Sequence, residues 1–260
     1  MSLKHSLLVA ASLLFMGVGC TQNGASAYLA PTAEQGKDIA EGDETIDDFS
    51  PQADILFVVD NSGSMATHQA NLASNIAQFT QEFLRAPVLD YNIAVTTTDV
   101  DGFTNPCCGK FFSKGSNPKV VNRRTPNANR ILGENLAPGI NGSGSEASFD
   151  AVSMALDPAL LAGHNSGFSR KHSAIVTIFI TDAEDQSDID PLGLYNKLLA
   201  MKAGRKKKVF AFGALIPTSE TNCDRDAFQP PTLIEEFLAR FKIVIKSSNS
   251  NARFFRNSSY

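Results

Sequence analysis

From residue 54 onward, two kinds of apolar pattern alternate along this chain. Ile55-Leu56-Phe57-Val58-Val59 is apolar at every position, and Ala174-Ile175-Val176-Thr177-Ile178-Phe179-Ile180-Thr181 repeats the pattern at greater length. Unbroken runs of this length, rich in β-branched residues, are what a strand covered on both faces requires. YNIAVTTTDV at 91–100 and VFAFGALI at 209–216 predict two further strands, with short ones at 119–122 and 242–246. Between the strands, apolar residues recur at helical spacing. Leu72, Ile76, Phe79 and Phe83 mark a helix over 66–86 that Pro87 ends, and Phe149, Val152, Leu156 and Leu160 mark one over 145–161. Leu194, Leu198 and Met201 follow Pro191 in another, TLIEEFLARF at 232–241 reads as a fourth, and a short helix fits 129–136. Strands alternating with helices predict an α/β fold: a doubly wound, mostly parallel central sheet flanked by helices. Ligands of such sheets bind beyond the C-terminal ends of the strands.

The first twenty residues are of another kind. Lys4 is followed by SLLVAASLLFMGVG up to Cys20, a run too short to span a bilayer and laid out like a secretory signal. Gly17-Val18-Gly19-Cys20 resembles the end of a bacterial lipoprotein signal, which implies acylation of Cys20 and anchoring in the outer membrane; the alternative is a signal cut elsewhere. Residues 21–52 carry Glu34, Asp38, Glu41, Asp43, Glu44, Asp47 and Asp48 against Lys37 alone, the composition of a flexible acidic tether. The folded domain is then expected over 53–246, with an irregular tail at 247–260.

Composition narrows the class without choosing a function. The 260 residues suffice for one or two domains with a full core, and 43% apolar with 19% charged residues is globular composition. A net charge of -4 offers no basic excess for nucleic acid, and Arg205-Lys206-Lys207-Lys208 reads most simply as the solvated end of a helix. With Cys20 acylated, Cys107, Cys108 and Cys223 remain in a compartment where disulfides persist. One bridge is expected, from Cys107 or Cys108 to Cys223, because Cys223 follows a strand whose end should share an edge with the 101–118 loop.

Both of the strongest strands run into an aspartate, Asp60 and Asp182. The first continues as Asp60-Asn61-Ser62-Gly63-Ser64-Met65. One capping residue would satisfy a helix start, whereas three short oxygen side chains at alternate positions converge on one point if the loop turns at Gly63. Two carboxylates at one sheet edge repel unless a cation lies between them. Oxygen donors without His or Cys select a hard cation: Mg2+, Mn2+ or Ca2+.

This segment resembles the first metal-site segment of a von Willebrand factor A domain, the Asp-x-Ser-x-Ser of a metal-ion-dependent adhesion site. The resemblance covers about residues 53–246 and implies that Asp182, in IFITDAEDQS, is the second acidic ligand, although Ala183 stands where the family often has glycine. It also implies a hydroxyl from Gly142-Ser143-Gly144-Ser145-Glu146 in the place of the family's threonine, with Ser145 matching best and Ser143 next. Asp60, Ser62, Ser64, Ser145 and Asp182 are therefore the expected metal set. The closing amphipathic helix of the family has no counterpart in SSNSNARFFRNSSY.

The function implied is a non-enzymatic binding module that captures an Asp or Glu carboxylate of a protein or peptide partner through the cation. A structural subunit of an envelope complex, with the metal only holding loops together, is one rival; a metal-assisted hydrolase is a lesser one, which lacks a base among the histidines although Glu184 and Asp185 lie close by in sequence. Because the metal offers every partner the same position, choice of partner is expected from the 101–117 loop, through Phe103, Phe111 and Phe112. The competing expectation is that these rings pack beneath the loop.

Overall fold

A computed structural model of the chain describes residues 52–66, 68–69, 90–215 and 230–241. Cys20 and the signal, almost all of the tether, most of the helix expected over 66–86, Cys223, the strand expected at 242–246 and the tail lie outside the described residues. Five strands form one sheet: β1 (Gln52–Val59), β2 (Asp90–Thr97), β3 (Val121–Asn122), β4 (Ala174–Ile180) and β5 (Val209–Ala214), in the order β3-β2-β1-β4-β5. β1 pairs in parallel with β2 and β4, β4 pairs in parallel with β5, and only β3 is antiparallel, at the edge. The described helices are α1 (Ala128–Asn135), α2 (Ser148–Ala155), α3 (Pro158–Ala162), α4 (Pro191–Met201) and α5 (Thr232–Ala239).

The continuous apolar runs follow from a sheet buried on both sides. Successive strand residues point to opposite faces, and all of β4 is buried. Ile55, Phe57, Val59, Val176 and Ile178 join Ile131 and Leu132 of α1 on one face. Leu56, Val58, Ile175 and Phe179 join Phe149, Leu194, Leu198 and Phe237 of α2, α4 and α5 on the other. There the rings of Phe149, Phe179 and Phe237 meet with centroids 5.2–5.8 Å apart, in edge-on and tilted contacts that aromatic quadrupoles favour.

One expected element is divided. The helical pattern over 145–161 is interrupted at Asp157-Pro158, because proline supplies no N–H and pushes the preceding residue to extended backbone. Asp157 is extended and caps α3 by accepting from the backbone N–H of Ala159 at 2.8 Å.

The parallel pairing of β1 with β2, Val59 opposite Thr97, sends the 101–117 segment off the sheet at the same edge as Asp60. The segment then doubles back. Phe112 donates its N–H to the Val95 carbonyl at 2.7 Å, and Phe111 is fully buried against Phe168, centroids 5.1 Å apart. Phe111 is thus a core residue, correcting the expectation that it recognises a partner; a benzyl side chain that reaches the sheet gains more by burial than by exposure. Phe112 is half-buried, and Phe103 stays 70% exposed. The bridge to Cys223 is likewise corrected: Cys107 and Cys108 are joined to each other. Neighbouring Cα atoms, here 3.8 Å apart, bring the sulfurs together without any long-range closure, and Cys108 takes a left-handed backbone at φ 57°.

Candidate metal centre at the C-terminal edge of the sheet

Asp60 and Asp182 come off adjacent strands, because β1 and β4 are neighbours and the backbone N–H of Asp60 still donates to the Ile180 carbonyl at 2.9 Å. Both are buried. Asp60 Oδ1 accepts from the backbone N–H of Ser62 at 2.8 Å, and Oδ2 accepts from the Thr181 hydroxyl at 2.6 Å. The Ser62 and Ser64 hydroxyls lie 3.0 Å apart, and Ser64 donates to Asp182 Oδ1 at 3.0 Å. Four of the five expected ligands therefore form one linked cluster of oxygens. Gly63 opens a short 3-10 turn, Gly63–Met65, without a positive φ and with open space where a Cβ would stand. The turn expected of Gly63 thus needs no glycine.

The other oxygen of Asp182 is the exception to full pairing. Asp182 Oδ2 is buried, accepts no hydrogen bond, and has His68 Nε2 3.7 Å away. Buried carboxylate oxygens are normally satisfied, so this atom fits a cation or a water held at the cluster. Asn61 Oδ1 and Thr98 Oγ1, just past the ends of β1 and β2, are likewise buried without a hydrogen-bond partner. Burial, the larger cause, and the charge of Asp60 together push the Asp182 carboxyl above its ordinary range; burial raises Asp60 against the pull of the Thr181 hydrogen bond. Such a pair favours an added positive charge. Among the described residues no three His, Cys, Asp or Glu side chains stand together as a metal group; the oxygens gathered at the two strand ends are those of Asp60, Asp182, Ser62 and Ser64.

The third segment reaches the cluster by close packing. Gly142 donates its N–H to the Asn61 carbonyl at 2.8 Å, and a Cβ on Gly142 would stand 2.4 Å from the Asn61 side chain. Any side chain at 142 would require that of Asn61 to move aside. Ser143 turns away and donates to Asp101 Oδ2 at 2.9 Å, while accepting from the Ser145 backbone N–H at 3.0 Å. Ser145 is half-buried, and among the described residues no hydrogen bond joins it to Asp60, Ser62, Ser64 or Asp182.

Glu146, which sequence reasoning quoted but gave no role, is the side chain that faces the cluster. It is buried, accepts from Gln186 Nε2 at 3.1 Å, hydrogen-bonds the Ser62 hydroxyl, and feels the charges of both Asp60 and Asp182. Burial first, and then the charge of Asp60, push its carboxyl up to about 7. An acid one residue beyond the matched hydroxyl was the only signal available for it. His68 and Thr181 were missed for a similar reason, since each acts through a contact made by folding.

The loops around the cluster are braced from beneath. Gln69 donates to the carbonyls of Asp60 and Gly139 at 2.9 and 2.7 Å and accepts from the Gly139 N–H at 3.2 Å. Asp185 accepts from the Phe149 backbone N–H at 3.1 Å, and burial raises its carboxyl to about 6. Glu184 is engaged by Thr232 and by the Leu233 N–H. Buried Asp99 accepts from the backbone N–H groups of Asp101, Gly102, Phe103 and Thr104 at 2.6–3.2 Å. It holds the loop that presents Phe103 to solvent.

No family model and no curated protein matches the chain. Among solved structures, proximal thread matrix protein 1 from the mussel byssus is similar in two crystal forms. One has 14% identity over 64% of this chain and 38% of that one with a TM-score of 0.37; the other has 12% identity over 74% and 46% with a TM-score of 0.35. An adhesive tip pilin from Group B Streptococcus agalactiae is 14% identical over 56% of this chain and 32% of its own, with a TM-score of 0.26. The chain spans less than half the length of each of these structures.

Proposed function

We propose that this protein is a metal-dependent binding module of the bacterial envelope, anchored through a lipid on Cys20, that captures a carboxylate of a protein or peptide partner. The observation that carries the reading is the junction of two strand ends at one oxygen cluster: Ser64 bonded to Asp182 Oδ1, with Asp182 Oδ2 buried and lacking a hydrogen-bond donor. The Asp-x-Ser-x-Ser motif supports it independently.

A bound Mg2+, Mn2+ or Ca2+ would supply an electrophilic position for the partner's carboxylate. The chain's own residues prepare that position. Thr181 and the Ser62 N–H fix the orientation of Asp60, and His68 stands over the open oxygen of Asp182. Ser62 and Ser64 contribute neutral oxygens, so Asp60 and Asp182 alone balance a divalent charge and leave it available to an anion. Glu146 adds a third negative charge when ionised. Phe103, exposed on the loop that Asp99 holds, is the aromatic anchor that this reading assigns to partner choice.

Titration calorimetry with Mg2+ and Mn2+ tests the site. Wild type should bind, and Asp60→Ala should lose binding while keeping the circular dichroism of the fold; unchanged affinity in the variant refutes the assignment. Pull-down from envelope extract, with and without EDTA, tests its use. Capture that EDTA leaves intact would favour a structural subunit over metal-dependent recognition.

A further inference from the structure

The segment that follows β2 carries a cross-link between neighbours, Cys107 and Cys108. Such a bridge closes the shortest loop a chain allows, and disulfide stabilisation grows with the length of the loop closed. The bond therefore contributes little as a staple of the fold, and its effect is confined to the backbone around it. Both cysteines are half-buried, and partly exposed disulfides are the ones that thiolates reach.

The backbone at the cross-link is itself constrained. Cys108 is left-handed at φ 57°, and Gly109 follows at 74°. That region is costly for a residue with a Cβ, so Cys108 relies on the constraint that the ring supplies. Its N–H donates to the Asp99 carbonyl at 2.9 Å and closes residues 99–108 into one loop. Beyond the loop the chain is anchored independently. Gly109 packs so closely on α2 that a Cβ would stand 2.5 Å from the Ala155 nitrogen. Buried Asn165 donates to the Gly109 carbonyl at 2.8 Å and accepts from the Phe111 N–H at 2.9 Å. The loop has no such burial, since every residue from 101 to 108 is exposed or half-buried. Its shape rests on Asp99, which gathers the N–H groups of Asp101 to Thr104, and on the turn at Cys107–Cys108.

One side chain ties this loop to the third segment of the metal centre. Asp101 Oδ2 accepts from the Ser143 hydroxyl at 2.9 Å, and the Ser143 oxygen accepts from the Ser145 N–H at 3.0 Å. A change in the turn at 107–108 thus has a path through Asp101 to the Gly142–Glu146 segment, and it moves Phe103 within the same loop.

We infer that Cys107–Cys108 is a redox latch: the disulfide holds the loop against the Gly142–Glu146 segment, and reduction releases it. The reductant is a dithiol. One of its thiolates attacks a cysteine sulfur, forming a mixed disulfide and freeing the other cysteine, which takes up a proton. Its second thiol then resolves the mixed disulfide. Two electrons and two protons pass to Cys107 and Cys108, and the reductant leaves as its own disulfide. Reoxidation joins neighbouring residues and needs no long-range closure, so the latch resets. That the latch governs partner capture rests on the proposed reading of the metal centre; that it governs the loop does not.

Hydrogen exchange of the full chain in EDTA, in a Cys223→Ser background with and without dithiothreitol, tests this by mass spectrometry. Reduction should speed exchange of the 101–104 amides and of the Ser145 amide at least fivefold, with β1 and β4 unchanged. Cys107→Ser combined with Cys108→Ser should exchange fast already and ignore the reductant. Equal rates in both redox states overturn the inference. So does a loss of protection across the whole sheet, which would make the bond a staple of the fold. Mn2+ calorimetry on the reduced and oxidised proteins, after removal of the reductant and EDTA, should give severalfold weaker binding for the reduced one. A protein that binds no Mn2+ in either state refutes the metal reading, and the exchange rates alone then decide the latch.

Discussion

Glu146→Gln separates the burial cost of one carboxylate from everything else at the metal-free cluster. Glu146 is buried beside Asp60 and Asp182, and its carboxyl is pushed up to about 7 from an ordinary 4.5. The folded state therefore holds a proton that the unfolded chain has released. Its stabilising contribution is complete below about pH 4.5 and is lost as pH rises through 7. At about 1.4 kcal/mol per pH unit of displacement, the loss approaches roughly 3 kcal/mol. Glutamine keeps the shape and the acceptor toward Ser62 but cannot ionise. The assay is urea unfolding of both proteins in EDTA from pH 4 to 8.5. The variant should match wild type near pH 4 and exceed it by roughly 3 kcal/mol at pH 8.5. For a domain of this size that difference is about 6–12 °C in Tm. Asp185, raised to about 6 by burial, titrates in both proteins and cancels in the difference. Parallel stability curves would refute the placement of Glu146 against the two aspartates.

Phe111→Ala should cost about 3–5 kcal/mol of stability by emptying a core site, whereas Phe103→Ala should leave Tm within about 1 °C and weaken partner capture; thermal melts and the EDTA-controlled pull-down measure the two. Gly142→Ala should force the Asn61 side chain aside, lowering Tm by several degrees and metal affinity about tenfold, while Gly63→Ala leaves Tm unchanged, as differential scanning fluorimetry and calorimetry would read. Cys20→Ser should move the protein from the membrane fraction to the soluble periplasm, and wild type already soluble there would refute the anchor.

The strands and their alternation with helices were legible because burial on both faces imprints unbroken apolar runs, and no other packing accounts for Ile55–Val59 and Ala174–Ile180 together. That Asp60 and Asp182 share one edge was legible too, since parallel strands end on the same side; that their strands are neighbours was decided by the sheet order. Side-chain contacts made across long sequence separations were not legible. Phe111 and Phe112 are adjacent and chemically identical, yet only the first is fully buried, because the loop doubles back along β2 and alternate residues face opposite ways. Ser145 and Glu146 are likewise neighbours; the hydrogen bonds of Ser143 to Asp101 and of Gln186 to Glu146 set that loop and bring the carboxylate to the cluster. Periodicity and motif spacing thus determined the sheet and the oxygen-rich edge. Which side chain of each adjacent pair turns inward was decided by tertiary contacts, which carry no local periodicity to read.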